Sequence, residues 1–350
     1  MKKVFQEMLK NSVSFEVIPI KIALISSNKT KFEKVYTSEI LNELKKYGQI
    51  SPRICRENLE DNSEFLKNCD VIFSTWGMIN FTEEEIKKYM PNVKALFYSA
   101  GSVQSFAKPF LNCGIRVFSS YKANAVPVAE YTFSQIVLAM KGFFQSSKNY
   151  KLSPLMSLAH SQKCNGNFKA KVGLIGLGAI GTMVAERLKS LDVEVLAYDA
   201  FACEETADKL NVKLVSLETV FRECDVISNH LANKKELKNF LNGKHFKLMK
   251  KYSVFINTGR GEQVDEFALA KNLILHPSRT AVLDVLKRET IPYINPLFWC
   301  RNAIITPHIA GSMGREVERM AYYMIDDFQN YLDGKNTQYE IDEKMLKTMA

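Results

Sequence analysis

The chain has 350 residues, 46% hydrophobic and 24% charged, a balance that fits a globular protein with room for two domains and excludes a disordered one. Its longest conspicuous uncharged run, residues 172–185, is broken by glycine and falls short of the roughly 18 apolar residues of a membrane span, so no membrane role is expected. The net charge is +9, yet the basic residues are spread through amphipathic patterns such as 29–46 and 234–251, usually near Glu, and never form a basic block with interleaved aromatics, which argues against a nucleic-acid partner and for a surface that attracts anionic metabolites.

At the start, Met1-Lys-Lys is followed by Val-Phe-Gln-Glu7, which interrupts the apolar stretch a secretory signal needs. Short β-branched runs then alternate with helical patterns, the signature of βα units feeding parallel sheets. A first series of strands is predicted at 20–26, 50–55, 71–75, 95–99 and 115–118, with helices near 32–47, 63–68, 82–89 and 103–112. Five strands with helical crossovers make a flavodoxin-like unit. Residues 126–144 read as a helix apolar around its circumference, which should pack between domains or subunits. A second series is predicted at 172–175, 193–198, 212–214, 225–229, 254–257, 280–283 and 303–306, and a last helix, 314–332, leaves that sheet to return to the first unit. The expected fold class is α/β with two doubly wound parallel-sheet domains. A Rossmann dinucleotide-binding domain, 124–310, is inserted into a flavodoxin-like substrate domain, 1–123 plus 311–350, with hinges near Ala123 and Ala310.

The seven cysteines (Cys55, Cys69, Cys113, Cys164, Cys203, Cys224, Cys300) are odd in number and contain no Cys-x-x-Cys pair. A reduced, cytoplasmic compartment is expected, with neither a disulfide framework nor a metal site.

The first strand of the second series runs into Gly176-Leu-Gly178-Ala179-Ile180-Gly181 and then into a helical pattern. Gly176 suits a tight turn, Gly178 a close approach of backbone to pyrophosphate, and Gly181 close packing of helix on strand, with the helix N-terminus facing the diphosphate. Alone, such a string is a weak signal. Its context sharpens it: the next strand ends at Asp199, about 18 positions on, near the roughly 20 expected for a carboxylate that holds the adenosine ribose. A carboxylate there repels a 2′-phosphate, so NAD is preferred to NADP.

Three polar residues follow strands of the second series, where an open parallel sheet builds its ligand crevice: Arg260, Glu289 and His308. The strings GLGAIG (176–181), NTGRGEQVDEFAL (257–269), LDVLKRETIP (283–292) and TPHIAGS (306–312), with ANAVPVAEYT (123–132), make the chain resemble the D-isomer-specific 2-hydroxyacid dehydrogenases. That resemblance implies hydride transfer between NAD and C2 of a small 2-hydroxy or 2-keto acid, glyoxylate- or hydroxypyruvate-like. It implies that Arg260 pairs with the substrate carboxylate and the C2 oxygen, that His308 is the acid/base, and that Glu289, bonded to the imidazole, favours its charged form. Cofactor contacts are implied at Gly176, Gly178, Ala179, Ile180, Gly181, Asp199, His230 as a pocket wall, Thr258, Asp284 at the carboxamide, and Gly311. For Asp284, closing a turn is the other use open to a strand-end aspartate.

Across the cleft, backbone N–H groups of the turn Ala100-Gly101-Ser102 are expected to form an anion nest for the substrate carboxylate. Trp76, also at a strand end, suits either a pocket wall or core packing. Where the family commonly has His-x-Pro, this chain has His230-Leu-Ala232, which is expected to loosen a loop near the cofactor. A homodimer through residues 126–144 and the segment to 167 is expected. The alternative function is an NADH-sensing regulator or corepressor-like binding protein on the same fold, against which the intact Arg260, Glu289 and His308 set speaks.

Overall fold

Two parallel sheets organise the chain, a computed structural model in which residues 19–348 are described. The N-terminal reading of residues 1–7 lies outside the described residues. The first sheet holds β1 (Ile20–Ile25), β2 (Gly48–Ile54), β3 (Val71–Ser74), β4 (Ala95–Tyr98) and β5 (Arg116–Ser119), parallel throughout in the order β5-β4-β3-β1-β2. β3 and β4 are buried at every position, as continuous apolar runs covered on both faces must be.

The second sheet holds β6 (Lys171–Ile175), β7 (Glu194–Tyr198), β8 (Lys213–Leu214), β9 (Val226–Asn229), β10 (Val254–Asn257), β11 (Thr280–Leu283) and β12 (Ala303–Ile305), in the order β12-β11-β10-β9-β6-β7-β8. The chain reverses direction across the sheet between β6 and β9, and the crevice outside their C-terminal ends is the switch point at which such sheets bind ligands.

Two helices predicted in the first series differ in extent. The 32–47 pattern divides into Lys29–Val35 and Ser38–Lys45, because Tyr36 turns inward to bond Ser74 O at 2.9 Å and Ser99 Oγ at 2.7 Å, and Thr37 is extended. The 103–112 pattern shortens to Ala107–Asn112, with Pro109 in the first turn, where no N–H is needed.

The long apolar helix runs Tyr121–Met140, and Gly142 (φ +65°) turns the chain into the next helix, Phe143–Tyr150. It bridges the two cores: Ala123 packs in the first, and Ala129, Ile136, Ala139 and Met140 pack in the second. The helix Glu316–Leu332 returns to the first core through Val317, Met320, Met324 and Phe328, whose ring meets Phe73 and Phe97 edge-on. A short strand, β13 (Glu340–Ile341), then pairs antiparallel with β5. The two chain crossings between the sheets are tied where Ser312 Oγ donates to Asn124 Oδ1 at 3.1 Å.

Candidate active site

The glycine turn at the end of β6 has the shape a diphosphate needs. Gly176 sits at φ +97°, where a Cβ would fall 2.8 Å from His230 O, and a Cβ on Gly181 would fall 2.0 Å from Gly176 O. Gly178 is exposed and a Cβ there would meet nothing within 4 Å. The helix Ala179–Leu188 begins at this open face, so the N–H groups of Ala179, Ile180 and Gly181 point out of the first turn without intrahelical acceptors. Asp199, half-buried at the end of β7, is locked onto the same turn: its Oδ2 accepts from Leu177 N at 2.7 Å, and Oδ1 accepts from Phe201 N at 2.7 Å and Ala202 N at 2.9 Å.

His230 lies behind the turn, 7% exposed, and neither ring nitrogen has a hydrogen-bond partner among the described residues. Unpartnered polar atoms beside an open glycine cradle fit a bound dinucleotide. Burial pushes the pKa of His230 down to about 4. The unfolded chain, with an imidazole near about 6.5, then binds more protons than the folded one between these values, so stability falls as pH drops through that window. Denaturant titrations at pH 7 and pH 5 should show wild type losing roughly 2 kcal/mol more than His230→Leu. Equal losses would mean that the ring is not held buried and neutral.

Arg260 follows β10 on a turn held by a buried amide network. Asn257 Oδ1 accepts from Gly259 N (3.1 Å) and from Asn229 Nδ2 (3.0 Å), and Gln263 Oε1 accepts from Asn229 Nδ2 (2.7 Å) and Arg260 N (3.3 Å). Gln263 Nε2 donates to Leu231 O and Ala232 O at 3.0 and 2.8 Å. The loop that the missing proline was expected to loosen is therefore braced from the Arg260 turn. The guanidinium, at the exposed rim, donates to Gly259 O at 2.7 Å. Its crowded surroundings pull its pKa down and the Glu289 charge opposes them; the group remains a permanent cation. Thr258 is buried, its Oγ1 3.0 Å from Thr132 Oγ1 on the helix Tyr121–Met140.

His308 stands after β12 in the left-handed region, φ +55°, an uncommon conformation for a residue other than glycine. Its Nδ1 lies 3.0 Å from both carboxylate oxygens of Glu289, which leaves Nε2 for a substrate. Both side chains reach solvent, at 45% and 41% exposure, so proton exchange is open to them.

Asp284, at the end of β11, holds the His308 loop. Its Oδ1 accepts from Thr306 Oγ1 (2.6 Å) and Ile309 N (2.9 Å), its Oδ2 from Ala310 N (2.9 Å), and its carbonyl from His308 N (2.9 Å). Of the two uses open to this aspartate in the sequence, turn closure is the one its bonds display. Gly311 follows half-buried, with open space where a Cβ would be.

On the first sheet the expected anion nest needs one correction. Ala100 donates its N–H to Tyr98 O at 2.8 Å, in a tight turn whose Ala100 carbonyl also accepts from Ser119 and Ser120 hydroxyls. Ala100 therefore offers no donor, and the nest reduces to the N–H groups of Gly101 and Ser102. A Cβ on Gly101 would lie 3.5 Å from Asn124 Nδ2, which places this turn at the crossing that leads to the His308 loop. Trp76 is half-buried against the first core with Lys31 Nζ 5.6 Å from its ring, and it displays the packing role.

The sequence reading passed over Asn229, Asn257, Gln263, Glu266 and Thr306. One signal was available: β9 and β10 both end in asparagine, and the two are register partners.

Residues 133–310 match the family described as D-isomer specific 2-hydroxyacid dehydrogenase, NAD binding domain. The chain belongs to this family. The resemblance carried by its motifs, its two-sheet α/β architecture and its use of NAD all hold. D-3-phosphoglycerate dehydrogenase of Archaeoglobus fulgidus is 32% identical over 223 residues, 63% of this chain and 42% of that protein, so the chain spans less than half of that relative. Glyoxylate reductase of Korarchaeum cryptofilum is 25% identical over 292 residues, 81% of this chain and 86% of that one. Among solved structures, a phosphoglycerate oxidoreductase from Rhizobium etli has a TM-score of 0.78 at 17% identity, covering 94% of this chain and 99% of that one. The NAD complex of a D-isomer specific 2-hydroxyacid dehydrogenase from Lactobacillus delbrueckii ssp. bulgaricus has a TM-score of 0.71 at 21% identity, covering 92% and 100%. At such identities the structural likeness speaks for the fold.

Proposed function

We propose that this dehydrogenase reduces small 2-keto acids of the glyoxylate and hydroxypyruvate type with NADH, and oxidises the matching 2-hydroxy acids in reverse. The observation that carries the reading is the contact of His308 Nδ1 with both Glu289 oxygens at 3.0 Å.

NADH, when bound, supplies the hydride that reaches C2. Arg260 grips the substrate carboxylate with its fork and leaves an N–H for the C2 oxygen, where negative charge grows during reduction. Gly101 and Ser102 hold the carboxylate from the opposite sheet. His308 donates the Nε2 proton to that oxygen, and Glu289, bonded at Nδ1, holds the ring so that Nε2 is left for the substrate. In oxidation the neutral imidazole takes the proton back. Asp284 retains an acceptor position on Oδ2 for the nicotinamide carboxamide, and Asp199 takes the ribose hydroxyls and repels a 2′-phosphate, which favours NADH over NADPH.

The proposed domains are 1–123 with 311–350 and 124–310, hinged near Ala123 and Ala310, so that closure excludes water from the cleft. A two-fold homodimer is supported by the segment after the long helix, where Leu152, Leu155 and Met156 are 74%, 81% and 72% exposed. The cytoplasmic assignment rests on the cysteine pattern; among the described residues no helix is long and apolar enough to cross a membrane.

A panel of 2-keto acids assayed with NADH and NADPH tests the reading. Turnover is expected on at least one small keto acid, with kcat/KM at least about tenfold higher for NADH. NADH binding without turnover on any member would transfer the chain to the sensing role.

A further inference from the structure

The Glu289 loop between β11 and its first 3₁₀ turn has no regular structure, yet it delivers the Glu289 carboxylate symmetrically to His308 Nδ1. Glu266, the first residue of the helix Glu266–Leu275, holds that loop. Its Oε1 accepts from Lys287 N at 2.9 Å and its Oε2 from Asn295 Nδ2 at 2.8 Å, so the two donors bracket Glu289 in the chain. Asn295 Oδ1 in turn accepts from Leu297 N at 3.0 Å, which orients the amide.

Glu266 and Asn295 are 6% and 5% exposed. Burial pushes the Glu266 pKa up; the Lys287 and Asn295 contacts oppose this, and the Glu262 charge adds to it. The Lys287 ammonium itself is bonded to Asn239 Oδ1 at 2.6 Å. A carboxylate in such a place is costly, and a hydrocarbon would pack there at lower cost, so packing alone does not account for it. The same segment is pressed onto the Arg260 turn: a Cβ on Gly261 would fall 2.1 Å from Leu286 C.

We propose that Glu266 is a positioning residue of the reaction, tethering the Glu289 loop on both sides so that the Glu289 carboxylate stays on His308 Nδ1. The inference rests on the reading of His308 and Glu289 as the acid/base pair. Glu266 itself reaches neither substrate nor cofactor and acts through Glu289.

Wild type, Glu289→Gln, Glu266→Ala and the double variant, each assayed for keto-acid reduction across neutral pH, test it. Glu266→Ala should lower kcat about tenfold and leave the KM for NADH within about twofold. Both single variants should show the same departure of the pH profile of kcat from wild type, because both take the carboxylate off His308 Nδ1. The double variant should be no slower than Glu289→Gln alone, because the two residues act in series. Glu266→Gln keeps an oxygen for only one of the two donors, because its amide nitrogen cannot accept, so it should lose less than Glu266→Ala without matching wild type.

A lowered Tm with unchanged kcat and pH profile, or losses that add in the double variant, would overturn the proposal. Should Glu266→Ala not fold, Asn295→Ala removes one tether and is read the same way. If Glu289→Gln is impaired and Glu266→Ala is not, the tether alone is wrong. If Glu289→Gln keeps the wild-type kcat and profile, the acid/base reading fails and the tether with it.

Discussion

Keto-acid turnover by His308→Asn is expected to fall by about 10²- to 10⁴-fold, the range that a positioned general acid supplies, while NADH affinity stays within about twofold. Asparagine is the substitution of choice because position 308 sits at φ +55°, which asparagine tolerates better than other side chains. The loop does not depend on the imidazole: His308 N, Ile309 N and Ala310 N are all held by Asp284, through its carbonyl and its carboxylate. What the variant loses is a group able to carry a proton to the C2 oxygen. Steady-state kcat together with an NADH binding titration separates that loss from collapse of the site. A variant that keeps wild-type kcat would remove His308 from the chemistry.

Arg260→Lys should lower kcat/KM for the keto acid by about 10²- to 10³-fold although the charge is kept. An ammonium is a point charge and cannot bind a carboxylate and a neighbouring oxygen through one planar fork. Losing the carboxylate grip raises KM; losing the donor aimed at the C2 oxygen lowers kcat. The turn should survive the change, because Gln263 and Asn257 bond the backbone of residue 260 rather than its side chain. With NADH saturating, kcat and KM report the two losses separately, and an unchanged KM would show that the carboxylate is bound elsewhere.

Much of this arrangement was legible in the sequence for a simple reason. Strands buried on both faces, such as β3, β4 and β10, are apolar up to their last residue, and the turns after them carry the polar residues. The glycine spacing and Asp199 follow from backbone sterics and reach, which are local properties.

What was not legible depends on contacts between distant segments. The break at Tyr36 comes from a hydroxyl bonded to β3 and to Ser99. Ala100 loses its donor to the carbonyl of Tyr98, a detail of turn geometry that residue identity does not encode. Glu266 looks like an ordinary solvated acid at a helix start, and its burial emerges only when the loop that carries Glu289 folds over it. Asp284 had two uses open in the sequence, and its three carboxylate bonds to the Thr306–Ala310 segment display the structural one.

The account turns on one convergence, and a crystal structure of the chain with NADH and oxamate, a keto-acid mimic that is not reduced, measures it most directly. The oxamate carboxylate should lie in the fork of Arg260, with its carbonyl oxygen within about 3 Å of His308 Nε2 while Nδ1 remains on Glu289. Oxamate bound away from Arg260, or an imidazole turned out of reach of that oxygen in the closed complex, would contradict the account.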